Sequence, residues 1–323
     1  MRVVPERENA VAIDLKKITK GQEERAPRVL VYGFPGVGKT RFAAGAPDPF
    51  FLDTDKGSHK YDVRRVVPET WSETTEYLAA IEDGRIKCGS VVIDSVTELE
   101  HMGHLEFFPG SNVDMWSGGY GRGDTHVTQK WRELFAQLER LWLQGKAIVL
   151  AAHTIVKKFD DPSGPGYERF EVGTRPKLAG LLKQRTDYVL FCREEVNRAV
   201  PVKGQEPAKP TTTGTRWAYT RTCPAYDAKA RGTLLFPEKF LLSWDEFAAA
   251  IDGEAKRSTE MTSQIDEMLA EIGDKELEKT VRAWLRQHPD SLLESHQKIA
   301  ARLESCRVSK QAIADGAGAA QVA

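Results

Sequence analysis

Gly33-Phe34-Pro35-Gly36-Val37-Gly38-Lys39-Thr40 carries the glycines, lysine and hydroxyl of GxxxxGK[ST] between the apolar run Val29-Leu30-Val31-Tyr32 and the helical stretch Arg41-Phe42-Ala43-Ala44. Glycines let successive N–H groups turn inward around phosphate oxygens, and the start of the next helix adds positive potential. Gly33, Pro35, Gly36, Val37, Gly38, Lys39, Thr40 and Arg41 form such a cradle, with Lys39 reaching the terminal phosphates and the Thr40 hydroxyl ligating Mg²⁺. A chance glycine turn beside a lysine would lack the preceding strand and the following helix that this pattern requires. The ligand expected here is a nucleoside triphosphate with Mg²⁺.

Working outward, further apolar runs are Phe50-Phe51-Leu52, Val91-Val92-Ile93, Ala147-Ile148-Val149-Leu150-Ala151 and Tyr188-Val189-Leu190-Phe191. Runs without polar alternation suit strands covered on both faces. Between them lie helical patterns, the clearest being Val127, Trp131, Leu134, Leu138 and Leu141. The expected fold is α/β, a mainly parallel sheet flanked by helices with a small helical C-terminal appendage. The chain of 323 residues divides into an N-terminal segment 1–26, a core 27–253, a linker 254–259, helices over 260–307 and a disordered tail 308–323. Ser243-Trp-Asp-Glu246 reads as a capping box opening a helix through Ile251, and breaks are expected near Gly273-Asp274 and His288-Pro289. Residues 108–124, with five glycines, and 154–176 read as long polar loops, and 199–215 as a hairpin tip or flexible excursion.

Composition narrows the class. With 46 Lys and Arg against 47 Asp and Glu the net charge is −1, so any anion-binding surface must be local. No apolar stretch approaches the ~18 residues of a membrane span, and the charged N-terminus lacks a secretory pattern, so a cytoplasmic location and no membrane partner are expected. Cys88, Cys192, Cys223 and Cys306 lie far apart with no CxxC pair and read as reduced thiols.

Ser90-Val91-Val92-Ile93-Asp94 is an apolar strand closed by a carboxylate, which makes Asp94 the second metal-side residue. Ser95 follows it, so a water-activating acid must come from elsewhere. Phe51-Leu52-Asp53-Thr54-Asp55 ends the preceding strand in two carboxylates, Asp55 read as the base and Asp53 as a structural turn or metal-shell residue, or else both as a solvated turn pair. His153 stands where a fourth strand emerges at the same edge, facing the γ-phosphate or simply capping the strand end. His101 and His104 have no partner Cys or His cluster and read as surface or packing residues.

VLVYGFPGVGKT, FLDTDKG, VVIDSVTEL, WSGGYGRGD, VLAAHTIVKKFDDP, AYDAKARGTL and LSWDEFAAAI together resemble the phage-encoded AAA-domain nucleotide-binding proteins. These are a branch of RecA-like ATPases that includes core-only single-strand annealing recombinases. The resemblance spans residues 27–252 and implies a RecA-like core, ATP with Mg²⁺, and a place in recombination or replication modules. It selects Asp55 as the water-activating acid, with Lys39 and His153 beside it, although relatives often carry Glu at that place. It also implies a homo-oligomeric ring or filament on single-stranded DNA. Trp116, Tyr120 and Arg122 in the first loop and Lys157, Lys158, Arg169 and Arg175 in the second would hold the strand by stacking and by binding its phosphates. Residues 154–231 hold 15 Lys and Arg against 9 Asp and Glu, a net of +6, which supports this without the resemblance; a solvated charged face is the alternative. Lys229 and Arg231 match a basic pair that reaches a neighbouring subunit's γ-phosphate, or are surface cations near a turn. A nucleotide-dependent loader or switch, docking a protein partner through the C-terminal helices, is the rival expectation. A small-molecule kinase ranks below both, because no arginine-rich lid is evident.

Overall fold

The computed structural model describes residues 18–20, 23–108, 122–161, 164–197, 211–232, 235–288 and 291–319. In chain order the elements are β1 (Arg28–Gly33), α1 (Lys39–Ala44), β2 (Pro49–Leu52), β3 (Arg64–Val66), α2 (Trp71–Glu82), β4 (Ser90–Asp94), α3 (Val96–Phe107), α4 (Arg122–Leu143), β5 (Ala147–Phe159), β6 (Tyr167–Val172), α5 (Pro176–Arg185), β7 (Tyr188–Asn197), β8 (Thr211–Tyr219), β9 (Lys229–Ala230), β10 (Lys239–Leu241), α6 (Trp244–Ile272), α7 (Lys275–Gln287) and α8 (Leu292–Ala319).

Side chains alternate across a strand, and β1 buries both sets. Leu30 and Tyr32 join Leu52, Ile93 and Leu150 under α2, α3, α4 and α5, where Trp71 and Trp131 meet edge to face at 4.9 Å. Val29 and Val31 join Phe51, Val92 and Val149 under α1 and the first turns of α6. The sheet order is β10-β8-β7-β1-β5-β4-β2-β3. The six strands from β7 to β3 run parallel, and β8 and β10 continue antiparallel beyond β7. Strand β5 lies between β1 and β4, and Gly33 is level with His153 as Asp94 is with Ala151. Parallel strands bring their carboxyl ends to one edge, so the P-loop, Asp94 and His153 converge there. This is the α/β core, a mainly parallel sheet flanked by helices, that the sequence leads one to expect, with helices attached at its C-terminal end.

Three expectations need correction. Residues 154–159 are not loop: β5 runs on to Phe159 and pairs with β6 antiparallel from Thr154–Val172 to Phe159–Tyr167. The 254–259 linker is helix, because α6 continues unbroken past Ile251 to Ile272, and its Ile265 and Leu269 pack with Leu292 and Ile299 of α8. The tail is helical as far as Ala319. The breaks on either side of α7 fall at Gly273-Asp274 and at His288, in agreement with the sequence. Of the excursion expected over 199–215, residues 199–210 lie outside the described residues and 211–215 are strand, the start of β8. Among the described residues no helix is long and apolar enough to cross a membrane.

The start of α6 is part of the core. Phe247 is fully buried against Phe42, Tyr188, Phe236, Phe240 and Trp244. Phe247→Ala is expected to cost about 3–5 kcal/mol, the usual loss for a buried aromatic truncation. Urea unfolding followed by circular dichroism checks this: the midpoint falls, whereas an unchanged midpoint would mean that α6 is only an appendage.

Candidate active site

Gly33 ends β1 where a side chain would not fit, since a Cβ there would lie 2.4 Å from the Cys192 carbonyl oxygen. Gly38 has φ of 111°, a left-handed conformation that glycine takes without strain, and Lys39 opens α1 directly after it. No side chain caps α1, and no acidic residue lies in its first turn. Its first N–H groups therefore lack intrahelical partners and favour an anion. Lys39 is buried, and its Nζ donates to the carbonyls of Gly33 at 3.0 Å and Phe34 at 3.1 Å. Burial pushes the Lys39 ammonium below its ordinary value, with Asp94 and Asp55 opposing. Arg41 is exposed on the first turn of the same helix.

On the acidic side, the Thr40 hydroxyl donates to Asp94 Oδ2 at 2.6 Å. Burial raises the Asp94 carboxyl above its ordinary value, and the Thr40 hydroxyl and Lys39 pull it back. A divalent cation fits this pair: a hydroxyl can ligate with its lone pairs while donating its proton, and the cation would offset the burial of the carboxylate.

The two acids after β2 separate cleanly. Asp53, almost fully buried, accepts from the Gly57 and Ser58 N–H groups at 3.0 Å each and from Ser58 Oγ at 2.6 Å, so it holds the turn. The Asp55 N–H donates to the Asp94 carbonyl at 3.0 Å, which sets the two acids side by side. Asp55 Oδ1 accepts from Ser95 Oγ at 2.9 Å, and Oδ2 lies 2.8 Å from His153 Nε2. An ionised carboxylate only accepts, so His153 carries its proton on Nε2. Burial alone would raise Asp55, but the His153 and Ser95 hydrogen bonds, with the Lys39 charge, together hold it below the ordinary carboxylate value.

His153 stands at the sheet edge where its sequence position puts it, and its Nε2 hydrogen-bonds Asp55 and orients that carboxylate. Its backbone N–H donates to Thr97 Oγ1 at 3.0 Å. Ser95 and Thr54 are site residues that sequence reasoning misses. Thr54 Oγ1 exchanges hydrogen bonds of 2.8 Å with the Ser95 backbone, and Ser95 Oγ also caps α3 through the Glu98 N–H at 3.2 Å. A signal for the second role is present, because Ser95-x-x-Glu98 is a capping-box spacing.

The expected DNA-binding residues that the structure describes have different surroundings. Trp116 and Tyr120 lie outside the described residues, and Arg122 begins α4. Lys157 and Lys158 are exposed on the β5–β6 hairpin, with Asp160 3.9 Å from Lys158. Arg169 is not an exposed cation. It is paired with Asp227, which Lys183 also meets at 2.5 Å, and with Glu171 at 3.7 Å, so its charge serves the fold. The Arg175 backbone N–H donates to the Glu100 carboxylate at 3.2 and 3.3 Å and so ties the start of α5 to α3. Lys229 Nζ donates to the Lys183 carbonyl at 2.5 Å, and Arg231 pairs with Asp187 at 3.0 Å. Both lie toward the start of β7, since Lys229 pairs with Val189 whereas Cys192 is level with Gly33. His104 is buried, and among the described residues no cluster of His, Cys, Asp and Glu suits a metal.

The sequence profile of the AAA domain matches residues 25–232, more than half of the chain. No curated protein matches. Among solved structures, the flagellar accessory protein FlaH from Methanocaldococcus jannaschii is 10% identical over 60% of this chain and 77% of its own, with a TM-score of 0.31.

Proposed function

The chain belongs to the AAA-domain family, and from that premise we propose that it is a Mg²⁺-dependent ATPase that organises as a homo-oligomer on single-stranded DNA for annealing or strand pairing in phage recombination. One observation carries the ATPase reading: a carboxylate held by two hydrogen bonds stands at the same sheet edge as a P-loop lysine and a Thr–Asp pair. The cradle binds the phosphates, and Lys39 leaves its two carbonyls for the terminal phosphate oxygens. Thr40 and Asp94 would hold Mg²⁺, which supplies charge neutralisation on the phosphoryl oxygens. Asp55 keeps a free acceptor lone pair on each oxygen beside those taken by Ser95 and His153. It uses one to orient the attacking water. A carboxyl held below its ordinary value is a weak base, so Asp55 acts more by orientation than by proton abstraction, and an Asp is a methylene shorter than Glu, which favours slow turnover.

The DNA reading is supported by the exposed pair Lys157 and Lys158 on a hairpin whose strand passes through His153, four residues earlier than Lys157 in the chain. Its test is a salt titration of labelled oligo(dT) by fluorescence anisotropy with ATP and Mg²⁺. Lys157→Ala with Lys158→Ala should flatten the log–log salt slope by about 0.7 for each phosphate that the lysines no longer neutralise. Unchanged affinity and slope in the folded double variant would remove the hairpin as the DNA site.

A specific observation favours the loader or switch as a second reading. Helix α6 packs against the P-loop helix through Trp244 and Phe42 and continues without a break into the C-terminal bundle. A shift of α1 on nucleotide binding would reach those helices directly. Absence of oligo(dT) binding under every nucleotide condition favours this reading over the first.

A further inference from the structure

Strand β8 lies two places from the P-loop strand, on the side away from Asp94, and carries Arg216 in register with Glu194 of β7. Arg216 shares a strand face with Ala218, which packs in the same cluster as Phe42 and Val37, so the residue lies on the α1 side of the sheet. There its guanidinium meets the P-loop. Nη1 is 3.4 Å and Cδ 3.7 Å from the point where a Cβ on Gly38 would stand. Together with Phe34, Pro35, Gly36 and Val37 of the loop it lines a cleft of about 450 Å³.

Glu194 sits directly across the ladder, yet among the described residues no ion pair joins it to Arg216 or gives Arg216 another carboxylate. The backbone beneath Arg216 is fixed: its carbonyl accepts from the Leu242 N–H at 2.9 Å, and Trp217 next to it pairs with Leu241 of β10. An exposed cation on a rigid mount, beside the glycine whose neighbouring amides cradle phosphate, is placed to add a charge-assisted hydrogen bond. Lys229 and Arg231, the basic residues that the sequence points to, have intrachain partners toward the other end of β7.

We propose that Arg216 is a phosphate-binding residue of this nucleotide site, a cation supplied within the chain from the β7–β8 hairpin to the phosphates held at Gly38. The inference rests on the triphosphate reading of the P-loop. Because Gly38 lies at the cradle itself, the interaction is made with both nucleoside di- and triphosphates, and it adds a fork-shaped donor on the side opposite Asp94.

The test is equilibrium titration of the full chain with mant-ATP and mant-ADP, comparing the parent, Arg216→Ala, Arg216→Lys and Lys39→Ala, with urea midpoints measured alongside. Arg216→Ala is expected to weaken both nucleotides by about tenfold or more, the usual cost of one charge-assisted hydrogen bond, and Arg216→Lys to recover part of the loss. The urea midpoint stays at the parent value. Parent-like binding by Arg216→Ala alongside abolished binding in Lys39→Ala overturns the inference and leaves the triphosphate reading standing. Equal weakening in Ala and Lys variants with a lowered urea midpoint also overturns it, because the role is then structural. No nucleotide binding by the parent removes the triphosphate reading itself.

Discussion

Lys39→Ala leaves the chain folded and removes ATP binding and turnover together. The ammonium is buried, its hydrogen-bond partners among the described residues are two backbone carbonyls, and burial disfavours its charged form. Its folded pKa is depressed, so the unfolded chain binds the proton more readily, and between the two pKa values stability rises with pH. At neutral pH the charge opposes folding, and removing it does not by itself unfold the core. What disappears is the one charged group that leaves the loop carbonyls for the terminal phosphates. A charged hydrogen bond to each of two phosphate oxygens contributes about 1.5–3 kcal/mol, so affinity falls by about a hundredfold or more. Calorimetric titration with ATP and Mg²⁺, beside a urea midpoint, measures both effects; parent-like affinity in the variant would place the site elsewhere.

Asp55→Asn keeps ATP bound and stops its hydrolysis. The amide retains the shape and can still accept from Ser95 Oγ, but it lacks the charge that orients water, and general-base roles of this kind are worth about 10²–10⁴ in rate. The pH dependence has a definite sign. The parent Asp55 carboxyl sits below the ordinary carboxylate value, so the acid loss of activity that it controls has its midpoint below that of an ordinary aspartate. Its contribution to stability is likewise present above the unfolded value and lost as pH falls through the folded one. Single-turnover release of phosphate at saturating ATP is the readout. Undiminished release would exclude Asp55 as the water-orienting acid.

How far the sequence can be read follows from the range of the interactions. Gly33 to Thr40, the strand before them and Asp94 closing its own strand are local patterns, and the structure has each at the expected edge. Asp53 and Asp55 belong to that edge by sequence, and the donors that hold Asp53, Gly57 and Ser58, lie only four and five residues on; the His153 donor that holds Asp55 depends on how the chain returns 98 residues later. Arg169 reads as an exposed cation for the same reason, since Asp227 lies 58 residues away. The linker is misleading in composition: Glu254, Ala255, Lys256 and Arg257 are mostly polar but are good helix formers, and the single Gly253 does not end a helix that tertiary packing supports at Phe247 and at Ile265. The β5 extension escapes notice because Lys157 and Lys158 hide the alternation, and its pairing partner over Tyr167–Val172 is itself half charged. Arg216 carries no local motif at all, and only the sheet brings it to Gly38.

The central claim, that this sheet edge binds ATP and activates water against it, is tested most directly by single-turnover hydrolysis of γ-labelled ATP on the purified 323-residue chain with Mg²⁺, run beside Asp55→Asn with nucleotide binding measured in both. Both proteins should bind ATP, and only the parent should release labelled phosphate, slowly and in a Mg²⁺-dependent manner. Bound ATP that stays intact on the parent, or equal release by Asp55→Asn, would contradict the claim.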